Sequence, residues 1–187
     1  MSEFQTYFTL GYQHILDWQG YDHMIFLLAL LAPIAIIEWK KVLILITAFT
    51  LGHSIALALS TLNIVSISSE LIELLIPITI LLTAISNITI NKYLGNLHYG
   101  ITIFFGLIHG MGFSGYLKML LGKEENLFAP LFSFNLGLEA GQILFTSIIV
   151  LVVLISNKLF AVKIRTSNFI LSGISIIVSF FLIIERI

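Results

Sequence analysis

The chain contains no cysteine. Disulfides, thiolate metal cages, iron–sulfur clusters and cysteine nucleophiles are thereby excluded. Charge is also scarce: only 10% of the 187 residues are Asp, Glu, Lys or Arg, against about 25% in a typical soluble domain. So little charge cannot clothe a water-facing surface, nor sustain a disordered chain or a coiled coil. Neither sign dominates, with 9 basic and 10 acidic residues. This leaves no electrostatic footprint for nucleic acid. What the chain has instead is apolar length: 58% of its residues are hydrophobic, and the mean hydropathy is +1.06.

A membrane-spanning helix needs about 20 mostly apolar residues, and irregular backbone cannot face lipid. Six stretches qualify, at about 21–38, 42–62, 71–90, 98–117, 128–156 and 167–184. The strand alternation of a membrane barrel is absent. The expected fold is an all-α integral membrane protein, a six-transmembrane-helix bundle formed as a single domain over 1–187. Residues 1–20 lack a basic start and a cleavable apolar core, so they do not read as a signal peptide. Their aromatics (Phe4, Tyr7, Phe8, Tyr12 and Trp18) predict an outer interfacial segment.

The basic residues are lopsided between loops. Lys40, Lys41, Lys92, Lys158, Lys163 and Arg165 fall on one side; Lys118, Lys123 and Arg186 fall on the other, partly offset by Glu124 and Glu125. The positive-inside rule then places both termini outside. An even number of spans agrees with that.

Ionisable groups within hydrocarbon are expensive and usually face a bundle interior or a water-filled cavity. Asp22, Glu73 and Glu139 fall in the spans, as do His23, His53, His98 and His109. Counting from the span boundaries, His53, His109 and Glu139 each lie about 11 residues in, roughly 17 Å deep. This predicts a midplane cluster. Asp22, His23, Glu73 and the nearby His14 form an expected outer cluster. Asn135, Glu139, Gln142 and Thr146 share one face of the fifth span, beside a ridge of small residues, Ser133, Gly137 and Gly141. Ser172, Ser175 and Ser179 run down the sixth span with no ionisable partner and read as packing. His98 reads as a solvated residue at the inner edge. Imidazole with carboxylate suits reversible binding of nickel, cobalt, zinc or manganese ions, and the need for deprotonated ligands offers a means of proton coupling.

Four motifs occur in order: His14-Ile15-Leu16 through Gly20-Tyr21-Asp22-His23, then Phe49-Thr50-Leu51-Gly52-His53-Ser54, then Phe105-Gly106-Leu107-Ile108-His109-Gly110-Met111-Gly112-Phe113, then Phe134-Asn135-Leu136-Gly137-Leu138-Glu139-Ala140-Gly141-Gln142. Together they resemble the HupE/UreJ family of hydrogenase and urease accessory membrane proteins. The resemblance covers residues from about 10 to 145. It implies a bacterial inner-membrane permease of six or seven helices for nickel or a related divalent metal, working alongside hydrogenase or urease maturation machinery. It assigns family ligand positions to His14, Asp22, His23, Glu73, His109 and Glu139. Seven residues separate His14 from the Asp22-His23 pair, where the family usually has five.

The expected function is therefore a permease or binding protein for a divalent transition metal ion, nickel first and cobalt or zinc next, rather than an enzyme. Asn135 and Gln142 would support the site. Two hydrolytic alternatives stand beside this reading. Gly112-Phe113-Ser114-Gly115 matches the Gly-x-Ser-Gly of rhomboid-type proteases, but the sixth span has no histidine to serve as the base. A zinc-bound water at His53, His109 and Glu139 would give a metal-dependent intramembrane hydrolase with the same ligands. A metal sensor or assembly partner would also use them.

Overall fold

The computed structural model describes residues 2–33, 38–89, 96–121 and 127–187. Among these, the regular elements are all helical: α1 (Glu3–Leu16), α2 (Asp22–Leu31), α3 (Trp39–Thr61), α4 (Ser69–Thr89), α5 (Asn96–Leu121), α6 (Phe128–Phe160) and α7 (Ile164–Glu185), with a 3₁₀ turn at Trp18–Gly20. Helices α3 to α7 are each long and apolar enough to cross a membrane. They correspond to the second to sixth expected spans, and most ends fall within three residues of the expected ones. Lys92, Lys123, Glu124 and Glu125 lie outside the described residues.

The first expected span, 21–38, is not one continuous helix among the described residues. Helix α2 has ten residues and stops before Pro33, which has no N–H to offer and restricts the residue before it. Residues 34–37 lie outside the description. The described chain therefore shows five spanning helices, and the count of six does not stand on it. Residues 3–16 of the expected interfacial segment form helix α1. It opens with a capping box in which Ser2 Oγ accepts from the Gln5 amide at 3.3 Å and Gln5 Oε1 accepts from the Ser2 amide at 3.0 Å. Tyr7, Gly11 and Ile15 are buried along one face, while Phe4 and Trp18 remain exposed.

Two helix crossings are made by backbone on backbone. A Cβ placed on Gly11 would overlap the carbonyl oxygen of Phe134, and one on Gly137 would overlap that of Phe8. Helix α1 is thus laid directly on the small-residue ridge of α6. Gly52 and Gly106 meet the carbonyls of Ile103 and Phe49 in the same way, which locks α3 to α5. Such contacts suit a membrane, where close van der Waals packing drives association in place of a hydrophobic force between helices.

Prolines leave carbonyls that need other partners. Pro77 lies inside α4, so the Glu73 carbonyl one turn earlier loses its helical donor. The guanidinium of Arg186, from the end of α7, donates to that oxygen. Pro33 similarly removes the donor one turn on from the Ala29 carbonyl, which accepts instead from the Ala32 amide at 3.3 Å and from Asn87 Nδ2 of α4 at 2.7 Å. Asn168 Nδ2 of α7 donates in turn to the Asn87 carbonyl at 3.2 Å. Ser172, Ser175 and Ser179 are all buried. Ser175 Oγ lies 3.4 Å from the Ile25 carbonyl of α2. Polar side chains thereby tie α2, α4 and α7 together.

The glycine crossings predict a selective penalty. Gly11→Ala forces two backbones apart and should destabilise by about 2 kcal/mol, whereas Gly173→Ala meets nothing within 4 Å and should be neutral. Thermal unfolding of the purified protein in detergent checks this; equal midpoints for the two variants would refute backbone contact at the α1–α6 crossing.

Candidate metal centre

Four histidines converge where α1, α2, α3 and α5 meet. His14 lies three residues beyond Gly11, so the α1–α6 crossing carries its ring inward. His23 opens α2. His53 follows Gly52 on α3, and His109 precedes Gly110 on α5. A Cβ on Gly110 would stand 2.5 Å from the His53 carbonyl, so the backbones of α3 and α5 are nearly in contact where their histidines project. Ring centroids are separated by 4.6 Å for His14–His23, 5.9 Å for His14–His53, 5.7 Å for His23–His53 and 5.2 Å for His23–His109. One ligand nitrogen from each of His14, His23 and His53 lies within 4.8 Å of the others. Three imidazoles on one ion at about 2.1 Å require nitrogens roughly 3 to 3.6 Å apart, so a small inward movement completes the set.

The nitrogens are also free to bind. His14 Nε2, His23 Nε2, both nitrogens of His53, and His109 Nδ1 are buried with no hydrogen-bond partner among the described residues. Unpaired buried polar atoms are costly, and several on facing rings form a candidate ligand set. Two tautomers follow from the neighbours. The Asp22 carboxylate is an acceptor and stands 2.9 Å from His23 Nδ1. His23 therefore carries its proton on Nδ1 and leaves the Nε2 lone pair open. The Thr79 hydroxyl donates its hydrogen to the Ile76 carbonyl at 2.7 Å, yet it lies 3.0 Å from His109 Nε2. His109 must then be the donor of that bond, which leaves Nδ1 as its open lone pair.

Phenylalanines wall the cluster. Phe113 lies 4.0 Å from the His14 ring and Phe134 lies 6.4 Å from His53, nearly parallel. Phe26 and Phe49 pack on His109 at 4.8 Å and 5.2 Å. His23 and His53 are buried, and His14 is half-buried. On the His14 side the cluster opens into a cavity of about 800 Å³, lined by Gln13, Asp17, Trp18 and Tyr116 as well as His14 and Phe113. A second opening, of about 290 Å³, is lined by Tyr21, Asp22, Glu185 and Arg186, with Arg186 Nη2 at 3.8 Å from Asp22 Oδ2.

The expected division into outer and midplane clusters is replaced by a single group that joins His14 and His23 to His53 and His109. Helix α3 starts at Trp39 and α5 at Asn96, both before the expected boundaries, so depths counted from those boundaries were too shallow. The 3₁₀ turn at Trp18–Gly20 takes up the seven-residue spacing and returns His23 to His14. Glu139 stands apart from the three-histidine group. Its carboxylate accepts from Thr47 Oγ1 at 2.7 Å, and Thr47 precedes His53 by six residues, about 9 Å of helix. Gln142 accepts from Thr50 Oγ1 at 2.7 Å, and Asn135 Nδ2 donates to the Leu131 carbonyl of its own helix at 2.7 Å. The Glu73 side chain is exposed. Ser114 is buried and donates to the Met111 carbonyl at 2.8 Å.

The family described as HupE / UreJ protein matches residues 1–185 of this sequence. The chain belongs to the HupE/UreJ family. It is accordingly a multi-pass membrane protein, and membership implies a transport or accessory role in handling nickel or cobalt, linked to hydrogenase or urease maturation. No curated protein and no solved structure matches the chain. Nothing in the family match supports the hydrolytic alternatives. Sequence reasoning singled out the histidines of this HupE/UreJ protein but missed Thr79 and the phenylalanine wall. A signal for the wall was present: Phe26, Phe49, Phe105 and Phe113 each lie three or four residues from a cluster histidine, the spacing that shares a helix face.

If Asp22 orients His23, Asp22→Asn should weaken Co²⁺ binding by about 10- to 100-fold without unfolding the protein. Equilibrium dialysis of purified protein against Co²⁺ measures this. Unchanged affinity would remove Asp22 from the site.

Proposed function

We propose that this protein is a permease for a divalent transition metal ion, nickel first and cobalt or zinc next, that binds its cargo at His14, His23 and His53. The observation that carries this reading is the convergence of three imidazoles from three helices, each offering a ligand nitrogen within 4.8 Å of the others and each with a buried nitrogen that lacks a partner among the described residues. Neutral imidazole is a good ligand for nickel, cobalt and zinc, and without a thiolate the site does not become a trap. Asp22 orients His23, and His109 extends the group toward the far half of α5. Asn135, Glu139 and Gln142 belong to the α6 face that braces α3, and Glu73 belongs to the rim that Arg186 closes.

Charge balance favours passage over storage. Asp22 is the carboxylate bonded to the cluster, and it shares its charge with Arg186 at 3.8 Å. A dication would thus be held mainly by lone pairs, within an aromatic wall of low dielectric, where an uncompensated charge is costly. The cavity at His14 serves as the mouth, with Asp17 as a carboxylate in its lining. The excess of Lys and Arg in the opposite loops favours a mouth that opens outside a bacterial inner membrane.

Uptake of radioactive nickel into membrane vesicles tests the proposal. His53→Ala should reduce uptake to the level of empty vesicles while the protein still inserts. Wild-type uptake by that variant would sink it. Wild-type protein that retains one metal through long dialysis and moves none would support a sensor or assembly role instead.

A further inference from the structure

A further cavity, of about 250 Å³, lies away from the histidines, between the end of α2 and helices α3, α6 and α7. Its lining residues are spread from Trp39 to Ile46 on α3, from Ile143 to Val153 on α6 and from Ile164 to Leu171 on α7. Along a helix axis these stretches rise about 10 to 15 Å. The cavity is therefore a slot that runs with the helices, nearly as deep as one leaflet of a hydrocarbon core about 30 Å thick.

Its chemistry differs from that of the metal centre. Among the described residues the polar side chains of the lining are the Trp39 indole and the hydroxyls of Thr146, Ser147 and Ser167, with no imidazole and no carboxylate. A dication would find nothing there to replace its water. Ser147 Oγ donates to the Ile143 carbonyl of its own helix at 2.7 Å. Thr146 Oγ1 has no partner among the described residues, and a threonine within a helix can take the same bond to the carbonyl one turn earlier. The rest of the lining is aliphatic, and what it accommodates is an alkyl chain.

The shallow end of the slot carries positive charge. Trp39 and Ile164 line that end, at the first residues of α3 and α7. Lys40 follows Trp39, and its Nζ lies 5.7 Å from the indole ring. Lys163 and Arg165 flank Ile164, and the Arg165 guanidinium lies 5.7 Å from the Phe169 ring. All three cations are exposed, and no carboxylate pairs with them among the described residues. Glu38 is engaged by Lys41 instead. Basic residues above an apolar slot, beside a tryptophan of the kind that sits at headgroup level, complement an anionic lipid. A second copy of this chain would bring the same cations against these and fits less well. We infer that the slot seats one acyl chain of an anionic phospholipid, with its phosphate at Lys40 and Lys163 and Arg165 beside them. The lipid would then fill the space where α2 stops short and join α3 to α6 and α7. This site is independent of the permease reading.

Trp39 supplies the reporter. The chain has two tryptophans, so Trp18→Phe leaves Trp39 as the sole indole. That variant is placed in phosphatidylcholine vesicles in which a minor fraction of lipid, either phosphatidylglycerol or phosphatidylcholine, carries brominated acyl chains that quench indole fluorescence on contact. Brominated phosphatidylglycerol should quench Trp39 at about a tenfold lower mole fraction than brominated phosphatidylcholine. Lys40→Gln with Lys163→Gln should cut this preference at least fivefold, since one basic residue at an anionic lipid surface is worth about fivefold in binding. Val150→Phe, which fills the slot and leaves the basic residues in place, should reduce quenching by phosphatidylglycerol to the level of phosphatidylcholine. Equal quenching by the two lipids in the starting variant overturns the site. A preference that survives the lysine substitutions overturns its headgroup end, and one that survives Val150→Phe overturns the acyl slot.

Discussion

The arrangement depends on how closely helix backbones approach at glycine. A lone imidazole reaches only a few ångströms from its Cα, so four of them on four helices meet only if their axes lie unusually near one another. Gly11 and Gly137 bring α1 onto α6, and Gly52, Gly106 and Gly110 bring α3 onto α5. Each glycine stands within three residues of a cluster histidine or on the helix opposite one. The packing that assembles the bundle is thus also what sets the nitrogen-to-nitrogen distances. Packing specificity and ligand geometry cannot be varied separately here, because a methyl group added at a crossing displaces a ligand as well as a helix.

The cluster then depends on partners that fix imidazole protons. Asp22 and Thr79 leave His23 and His109 with lone pairs on defined nitrogens. Behind Asp22 stands Arg186, which also answers the carbonyl that Pro77 leaves without a donor. The hydrogen bond missing at Pro77 of α4 is therefore coupled through one guanidinium to Asp22, the partner of a histidine on α2. Such outer partners commonly matter nearly as much as the ligands themselves.

Much of this was legible in the sequence. The five long helices follow from apolar runs of spanning length, and Asp22, His23, His53 and His109 stood out as ionisable groups where hydrocarbon was expected, with His14 close by on the preceding segment. The small-residue ridge of Ser133, Gly137 and Gly141 was visible as well. Its occupant was not, because nothing local to α6 says that Gly11, more than a hundred residues earlier, is what packs there. The separation of Glu139 from the histidines was hidden for a different reason. Depth was counted from helix ends, and α3 and α5 each begin two or three residues before the expected ends, which shifts their histidines by about 3 to 4.5 Å relative to Glu139. The ending of α2 was written in Pro33, but the hydrophobic run past it concealed the break.

That short α2 has an electrostatic consequence. Ten residues rise about 15 Å, half of a hydrocarbon core about 30 Å thick. The helix begins at Asp22, beside the cluster, and its last turn, Ala29 to Ala32, is buried. A helix carries about half an elementary negative charge at its carboxyl end. Here that end, near Leu30, faces a cavity that Leu30 helps to line together with Phe26 and His98. That cavity therefore sits at a negative pole supplied by the backbone alone, without a second carboxylate.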